Sequence, residues 1–397
     1  MAAAKLGKSD LDAVRKMAEC SDVRKGDRVL ITSDPYCEPV VVEAVSKVCR
    51  EKGAIVFEMR MPNPILDLQG TDGAHVYEFF NRGMQGGVDL WMSCNAGPTN
   101  TFSWEAQLEY GPGFVQVQAL SLEDLRSDNW RFPIELQAAI FERVGQLIEG
   151  KKQLRVTSRG GTDITFEIPK GKISFFGDGM LTKLTRPGNR LDYPGAALAF
   201  FSKSADGVFV VEYWAPTNAP MGRKSNPFTD PKNRMVLTVK DGFIIDAKGD
   251  MSKELLELWE KKGNKLSRYV SGPMVGVCPK ATPVGWPKRH PLEWYYAFHN
   301  SPLVSWLLTG AKGGMSYRRE PSAPFMLTLY NYKPTYTVDG EVILKNGRFS
   351  CMDDPELRKI ASRFGDPDEL LETTPYPLDM FEKGPGAKAV LDKLLKG

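Results

Sequence analysis

The stretch Gly26-Asp-Arg-Val-Leu-Ile-Thr32, followed by residues 38–52 and then Gly53-Ala-Ile-Val-Phe57, decides how the chain begins to fold. Gly26-Asp27 turns the chain into the β-rich run Val29–Thr32. Residues 38–52 carry the apolar spacing of an amphipathic helix, and Gly53 closes it ahead of the strand Ala54–Phe57. Strand, helix and strand at this spacing make a βαβ unit, which requires a parallel sheet with right-handed crossovers.

Working outward, Leu11, Val14, Met17 and Ala18 predict a helix over 9–24, with Ser9 or Asp10 as its N-cap. A helix over His75–Gly83, a strand over Val88–Ser93 and a helix over Pro133–Gly150 extend the same α/β layer. At Lys151-Lys152 the texture changes. Strands are expected at 154–157, 163–168, 207–213, 235–239 and 243–245, with hairpin turns at Gly160-Gly161, Asp241-Gly242 and Asp339-Gly340. One helix, Met251–Lys262, interrupts them, and residues 335–349 read as a further hairpin. The tail 354–397 is helical and polar, broken by Pro375, Pro377 and Pro385. The fold class expected is α/β: an N-terminal parallel-sheet α/β domain over 1–150, followed by a mixed, strand-rich α+β domain over 151–397 with a helical C-terminal tail.

The totals agree with this division and narrow the function. A chain of 397 residues exceeds what one core organises. A net charge of +3 is too small to argue for nucleic acid or a membrane surface, and neither is expected as a partner. Cys20, Cys37, Cys49, Cys94, Cys278 and Cys351 form no CxxC pair, so free thiols in a reducing cytoplasm are expected. The opening Met1–Leu6 has no apolar signal-type region, and no stretch reaches roughly 18 continuous apolar residues. No P-loop, Gly-x-Gly-x-x-Gly or Gly-x-Ser-x-Gly element is present.

Three groups of segments together resemble the aminopeptidase T (M29-type) metallopeptidases, whose superfamily also holds the 2,5-dihydroxypyridine dioxygenases. The first is Val23–Ile31 with Lys52-Gly-Ala54. The second is Leu154–Thr157 and Gly161–Phe166, with Tyr193-Pro-Gly195 and Val208–Glu212. The third is Gly276–Ala281, Leu307–Gly313 and Val338–Ile343. The resemblance spans almost the whole chain. It implies a metal site, yet the ligand positions it maps hold other residues. A carboxylate after the Pro-Gly turn meets Ala196 or Ala197, and a glutamate meets Gly272. A histidine meets Thr309, and a His-x-Asp pair meets the window 325–332, which contains neither. The chain's three histidines are too few for a conventional dinuclear site. The resemblance also implies a homodimer.

The remaining candidate chemistry centres on His290-Pro-Leu-Glu293 and His299. These three could form a facial metal triad only if the helix carrying them ends before Asn300-Ser-Pro302 and bends. The alternative is a single histidine acting as general base. His290, Glu293, His299 and Tyr330 are the candidate catalytic residues. Arg190, Glu212, Trp214, Cys278, Arg318 and Tyr332 are the candidate substrate-binding residues, since arginine forks bind carboxylates and aromatic faces stack on planar rings. Cys278 is read either as a thiol lining the cleft or as a buried inert one. The function expected is an enzyme acting on a small cyclic or hydroxylated (hetero)aromatic catabolite by ring cleavage or hydrolysis, without a cofactor. Its alternatives are a mononuclear Fe(II) dioxygenase, or one using another divalent metal, held by His290, Glu293 and His299; an ordinary aminopeptidase; and a non-catalytic binding protein.

Overall fold

The computed structural model describes residues 6–63, 87–96, 112–168, 174–176, 190–195, 197–200, 202–216, 229–250, 252–285, 295–310 and 327–376. The expected βαβ unit is present. β1 (Arg28–Ser33) and β2 (Ile55–Arg60) pair in parallel, with α2 (Pro39–Glu51) between them and α1 (Lys8–Cys20) before them. β3 (Leu90–Cys94) and β4 (Gly113–Val117) continue the parallel sheet. Both are buried throughout, as central strands of a covered sheet must be. α3 (Leu122–Arg126), α4 (Asp128–Arg131) and α5 (Ile134–Ile148) follow. Ser121 caps α3 by accepting the Asp124 N–H.

One face of this sheet presents Val29, Ile31, Leu90, Met92 and Val115 to Val14 and Met17 of α1 and to Val41, Val45 and Val48 of α2. The opposite face carries Leu30, Trp91 and Phe114. At the edge, β2 leaves Ile55 and Phe57 more than half exposed. Asp10 of α1 is buried and accepts both Nε (3.0 Å) and Nη2 (2.8 Å) of Arg126, which ties α1 to α3.

The parallel sheet is completed from beyond residue 150. β5 (Gln153–Ser158), β6 (Asp163–Glu167) and β7 (Ser174–Phe176) come first, and then β8 (Arg190–Tyr193) returns to pair in parallel with β4. The sheet order is β2-β1-β3-β4-β8.

The rest of the chain builds two antiparallel sheets. β9 (Ala197–Ala199), β10 (Ser204–Val211), β11 (Tyr213–Pro216), β12 (Met235–Lys240) and β13 (Phe243–Lys248) precede the helix α6 (Ser252–Lys262). β14 (Val270–Gly276), α7 (Tyr295–Asn300), β15 (Val304–Thr309), β16 (Leu327–Tyr332), β17 (Pro334–Val338), β18 (Glu341–Lys345) and β19 (Arg348–Phe349) follow, then α8 (Pro355–Ala361) and α9 (Pro367–Leu371). The eight-stranded order is β13-β12-β10-β6-β5-β17-β18-β19, and the six-stranded order is β11-β16-β15-β14-β9-β7. The two sheets share one core in which Val156, Phe166, Phe209 and Leu237 of the first meet Val275, Leu307 and Leu329 of the second. The expected hairpin turns form. Asp241 and Gly242 take φ of 49° and 78°, the positive values a two-residue turn of this kind needs.

The expected helix over His75–Gly83 lies outside the described residues. Among the described residues, no helix is long and apolar enough to cross a membrane.

Candidate functional site

The register of the six-stranded sheet decides which side chains meet. Tyr330 on β16 lies opposite Trp306 on β15 and Tyr213 on β11. Successive strand residues alternate in direction, so these three share one face, and Leu329, Leu307 and Trp214 share the other. The second face is the inter-sheet core. The first is an aromatic layer. Tyr213 and Phe298 meet edge to face at 4.8 Å between ring centroids, and Tyr213 and Tyr330 at 5.1 Å.

α7 lays His299 on that layer. The helix ends at Asn300, since Ser301 precedes Pro302 and the residue before a proline is biased out of the helical region. The His299 ring stands edge-on to Trp306, with centroids 4.0 Å apart, and its Nε2 lies 3.4 Å from Tyr330 Oη. His299 and Tyr330 are both buried. Two candidate catalytic residues from separate parts of the chain thus come together. The separation is long for a hydrogen bond, but such pairs commonly tighten when substrate binds.

Four contacts hold α7 in place. Gly276 on β14 lets the helix end approach closely, because a Cβ there would sit 1.9 Å from the Asn300 carbonyl carbon. The Cys278 N–H donates to the Asn300 carbonyl at 2.9 Å. On the opposite side, Tyr296 Oη donates to the Asn95 carbonyl at 2.8 Å, and Asn300 Nδ2 donates to Gln118 Oε1 at 2.6 Å. α7 therefore bridges the carboxyl edge of the parallel sheet and the aromatic layer. A narrow cleft beside it, lined by Gln118, Leu120, Trp130, Thr282, Val284 and Tyr296, has room for about one water molecule.

Tyr376 adds a support that sequence reasoning did not single out. It follows α9, is fully buried, stacks on Tyr332 at 6.1 Å and donates its hydroxyl to the Ala297 carbonyl at 3.1 Å. Burial pushes its phenol well above the ordinary tyrosine range. The proline-broken, polar tail gave no sign of this. Trp306 and Phe298 were also missed, although an apolar β-strand pattern around Trp306 was the available signal.

The other candidates fall elsewhere. Trp214, one residue out of phase with Tyr213, packs in the inter-sheet core instead of the aromatic layer. Cys278 is fully buried in that core too, and burial raises its thiol to about 12, so it is the inert thiol of the two readings. Glu212 is buried where the chain passes from β10 to β11. It accepts the Tyr332 N–H at 2.6 Å and pairs with Arg234 at 3.6 Å, so its carboxylate fastens the two sheets together. Tyr332 shares the face of Tyr330. Arg190 opens β8, and its side chain lies outside the described residues, as do His290, Glu293 and Arg318.

Among the described residues, the positions that the resemblance maps as dinuclear metal ligands hold no ligating side chain. Gly272 sits at φ 136°, and a Cβ there would lie 1.7 Å from the Phe200 carbonyl oxygen, so no carboxylate can project from this position. Thr309 is fully buried at the end of β15, and residues 327–332 of β16 include no histidine or acid. Among the described residues, no three His, Cys, Asp or Glu side chains converge.

No protein-family model and no curated protein sequence matches the chain. Solved structures do match in fold. A 2,5-dihydroxypyridine dioxygenase from Pseudomonas putida KT2440 aligns over 89% of this chain and 99% of its own, with a TM-score of 0.63 and 16% identity. Wild-type AmpT from Thermus thermophilus aligns over 86% and 99%, with a TM-score of 0.55 and 14% identity. The chain therefore has the α/β fold shared by those two proteins.

Proposed function

We propose that the protein is an enzyme acting on a small cyclic or hydroxylated (hetero)aromatic substrate, by ring cleavage or hydrolysis, at the aromatic face of the six-stranded sheet. The supporting observation is the contact of His299 Nε2 with Tyr330 Oη inside a wall of Trp306, Tyr213 and Phe298. In this reading the neutral imidazole is the proton acceptor, and the Tyr330 hydroxyl fixes its tautomer and passes the proton on. Aromatic walls accept planar rings edge to face or offset, which suits this substrate class. The reaction classes are those of the two structurally similar proteins, a dioxygenase and AmpT. A homodimer belongs to the same proposal, and sedimentation of the purified chain tests it.

The experiment is a turnover screen of hydroxypyridines, catechols and amino-acid anilides, with and without added divalent metal. It is run on the wild type, His299→Gln and Tyr330→Phe. The reading expects metal-independent turnover of a cyclic substrate, lowered by about 10²–10⁴ in His299→Gln, the usual share of general acid–base catalysis. Stoichiometric iron that is lost on His299→Ala would establish the mononuclear site with His290 and Glu293 instead. Stabilisation by a ring compound that is never consumed would make the protein a binder.

A further inference from the structure

The carboxyl edge of the parallel sheet carries a second polar site. On the face of Leu30, Trp91 and Phe114, the strands end in Thr32, Ser93, Asn95 and Gln116, all fully buried. The sheet order places β1 beside β3, with β2 beyond the one and β4 beyond the other, and in open α/β sheets such a reversal of strand order is where ligands bind.

The hydrogen-bond network fixes which way both amides point. Trp91 Nε1 donates to Thr32 Oγ1 at 2.9 Å, so the Thr32 hydrogen is turned to Asn95 Oδ1, 2.8 Å away. The Ser93 hydroxyl donates to the same oxygen at 3.0 Å. Gln116 Nε2 donates to the Ser93 carbonyl at 2.9 Å and approaches the Ser93 hydroxyl at 3.4 Å. Two groups are left over: the Asn95 Nδ2 donor and the Gln116 Oε1 acceptor are buried and have no partner among the described residues. Both amides contact Ser93, and Gln116 Nε2 also approaches the Asn95 carbonyl at 3.5 Å, so the two side chains are neighbours at this edge. A buried polar atom without a partner is costly, and ordered water or a ligand commonly supplies the missing bond.

The charge of the patch selects the ligand. Asp34, at the end of β1, is fully buried, and its carboxyl is raised by desolvation. Asn63 Nδ2 and the Ala96 N–H hold one of its oxygens, and the Tyr36 N–H holds the other. The Asp34 oxygens already accept from these donors and offer a phosphate or carboxylate none, and a cation would meet the Asn95 N–H donor. We propose that this patch binds a small neutral ligand bearing an N–H beside a C=O, that is, an amide, lactam or urea group. Its carbonyl would accept from Asn95 Nδ2 and its N–H would donate to Gln116 Oε1. The site's residues lie on the parallel sheet and differ from His299 and Tyr330, so substitutions test the two readings one at a time.

The probes are 2-pyrrolidone, which has both groups, and cyclopentanone, which keeps the ring and carbonyl but lacks the N–H. Binding to the full chain is measured by saturation-transfer NMR and calorimetry. The expected result is 2-pyrrolidone binding about tenfold tighter than cyclopentanone, with that preference lost in Gln116→Met and both probes weakened in Asn95→Ala. Equal affinities, or no binding of the lactam, mean that ordered water alone fills the patch and overturn the proposal. If either variant fails to fold by circular dichroism, the wild-type comparison of the two probes still decides.

Discussion

Replacing Gly276 by alanine tests how α7 is held. The new Cβ would meet the Asn300 carbonyl carbon at 1.9 Å, its oxygen at 2.2 Å and the Ser301 nitrogen at 2.3 Å. All three are backbone atoms, so no side chain can rotate away. Restoring ordinary contact takes a displacement of about 1.5 Å. A shift of that size breaks the Cys278 N–H to Asn300 bond (2.9 Å) and the Asn300 to Gln118 bond (2.6 Å). At about 1 kcal/mol for each bond, plus about 1–3 kcal/mol for overpacking, the expected loss is roughly 3–5 kcal/mol. The thermal midpoint of the affected transition should fall by roughly 6–20 °C. His299 precedes Asn300, so any turnover should drop by about 100-fold, the usual cost of a displacement near 1 Å. The assay is thermal unfolding combined with imidazole NMR, which is tractable because the chain has three histidines. A variant within about 0.5 kcal/mol of wild type, with the His299 resonance unmoved, would refute the account of Gly276 as the seat of α7.

Further tests address charge, thiols and the sheet edge. Asp10 is held below the ordinary carboxylate range, first by its hydrogen bonds to Arg126 and then by the Gly7 N–H, with Arg126 and Arg131 adding attraction. A lowered folded value means stability that is complete above the unfolded carboxylate range and lost as pH falls through the folded one. Asp10→Asn should therefore flatten the denaturant midpoint below about pH 4; parallel acid limbs in the two proteins count against the role. All six cysteines are buried, and burial lifts Cys49 and Cys278 to about 12 and Cys351 to about 11. A thiol-reactive dye at pH 8 should label none within minutes and all six in denaturant, whereas one rapidly labelled thiol would contradict the burial. Ile55→Lys together with Phe57→Lys on the exposed edge strand should change stability by only about 0.5 kcal/mol while reducing light scattering on heating.

Period and turn chemistry made the fold legible in the sequence. The βαβ opening follows from Gly26, Gly53 and two apolar runs, and the hairpins follow from Asp-Gly pairs that tolerate positive φ. Pairing phase was less legible. Tyr213 and Trp214 are one residue apart, and in a strand that step puts their side chains on opposite faces of the sheet. Glu212 drew attention as an acid at a strand end, but the Tyr332 N–H it holds lies 120 residues away in sequence, across an unknown crossover. Cys278 beside Pro279 could not be told from a cleft residue, because burial belongs to the assembled sheets. The pairing of His299 with Tyr330 required the register of β15 against β16, and local pattern carries no information about that.

The return of β8 to the parallel sheet bears on how the chain is made. During synthesis the first four strands emerge with the outer edge of β4 uncovered, and it stays so until residues 190–193 leave the ribosome. By then β5 and β6 are already available to pair with each other. The amino-terminal layer therefore cannot finish folding before the next one has begun. A fragment cut at residue 150 would carry an open β4 edge of five fully buried positions, prone to self-association, so expression trials should extend at least through Tyr193.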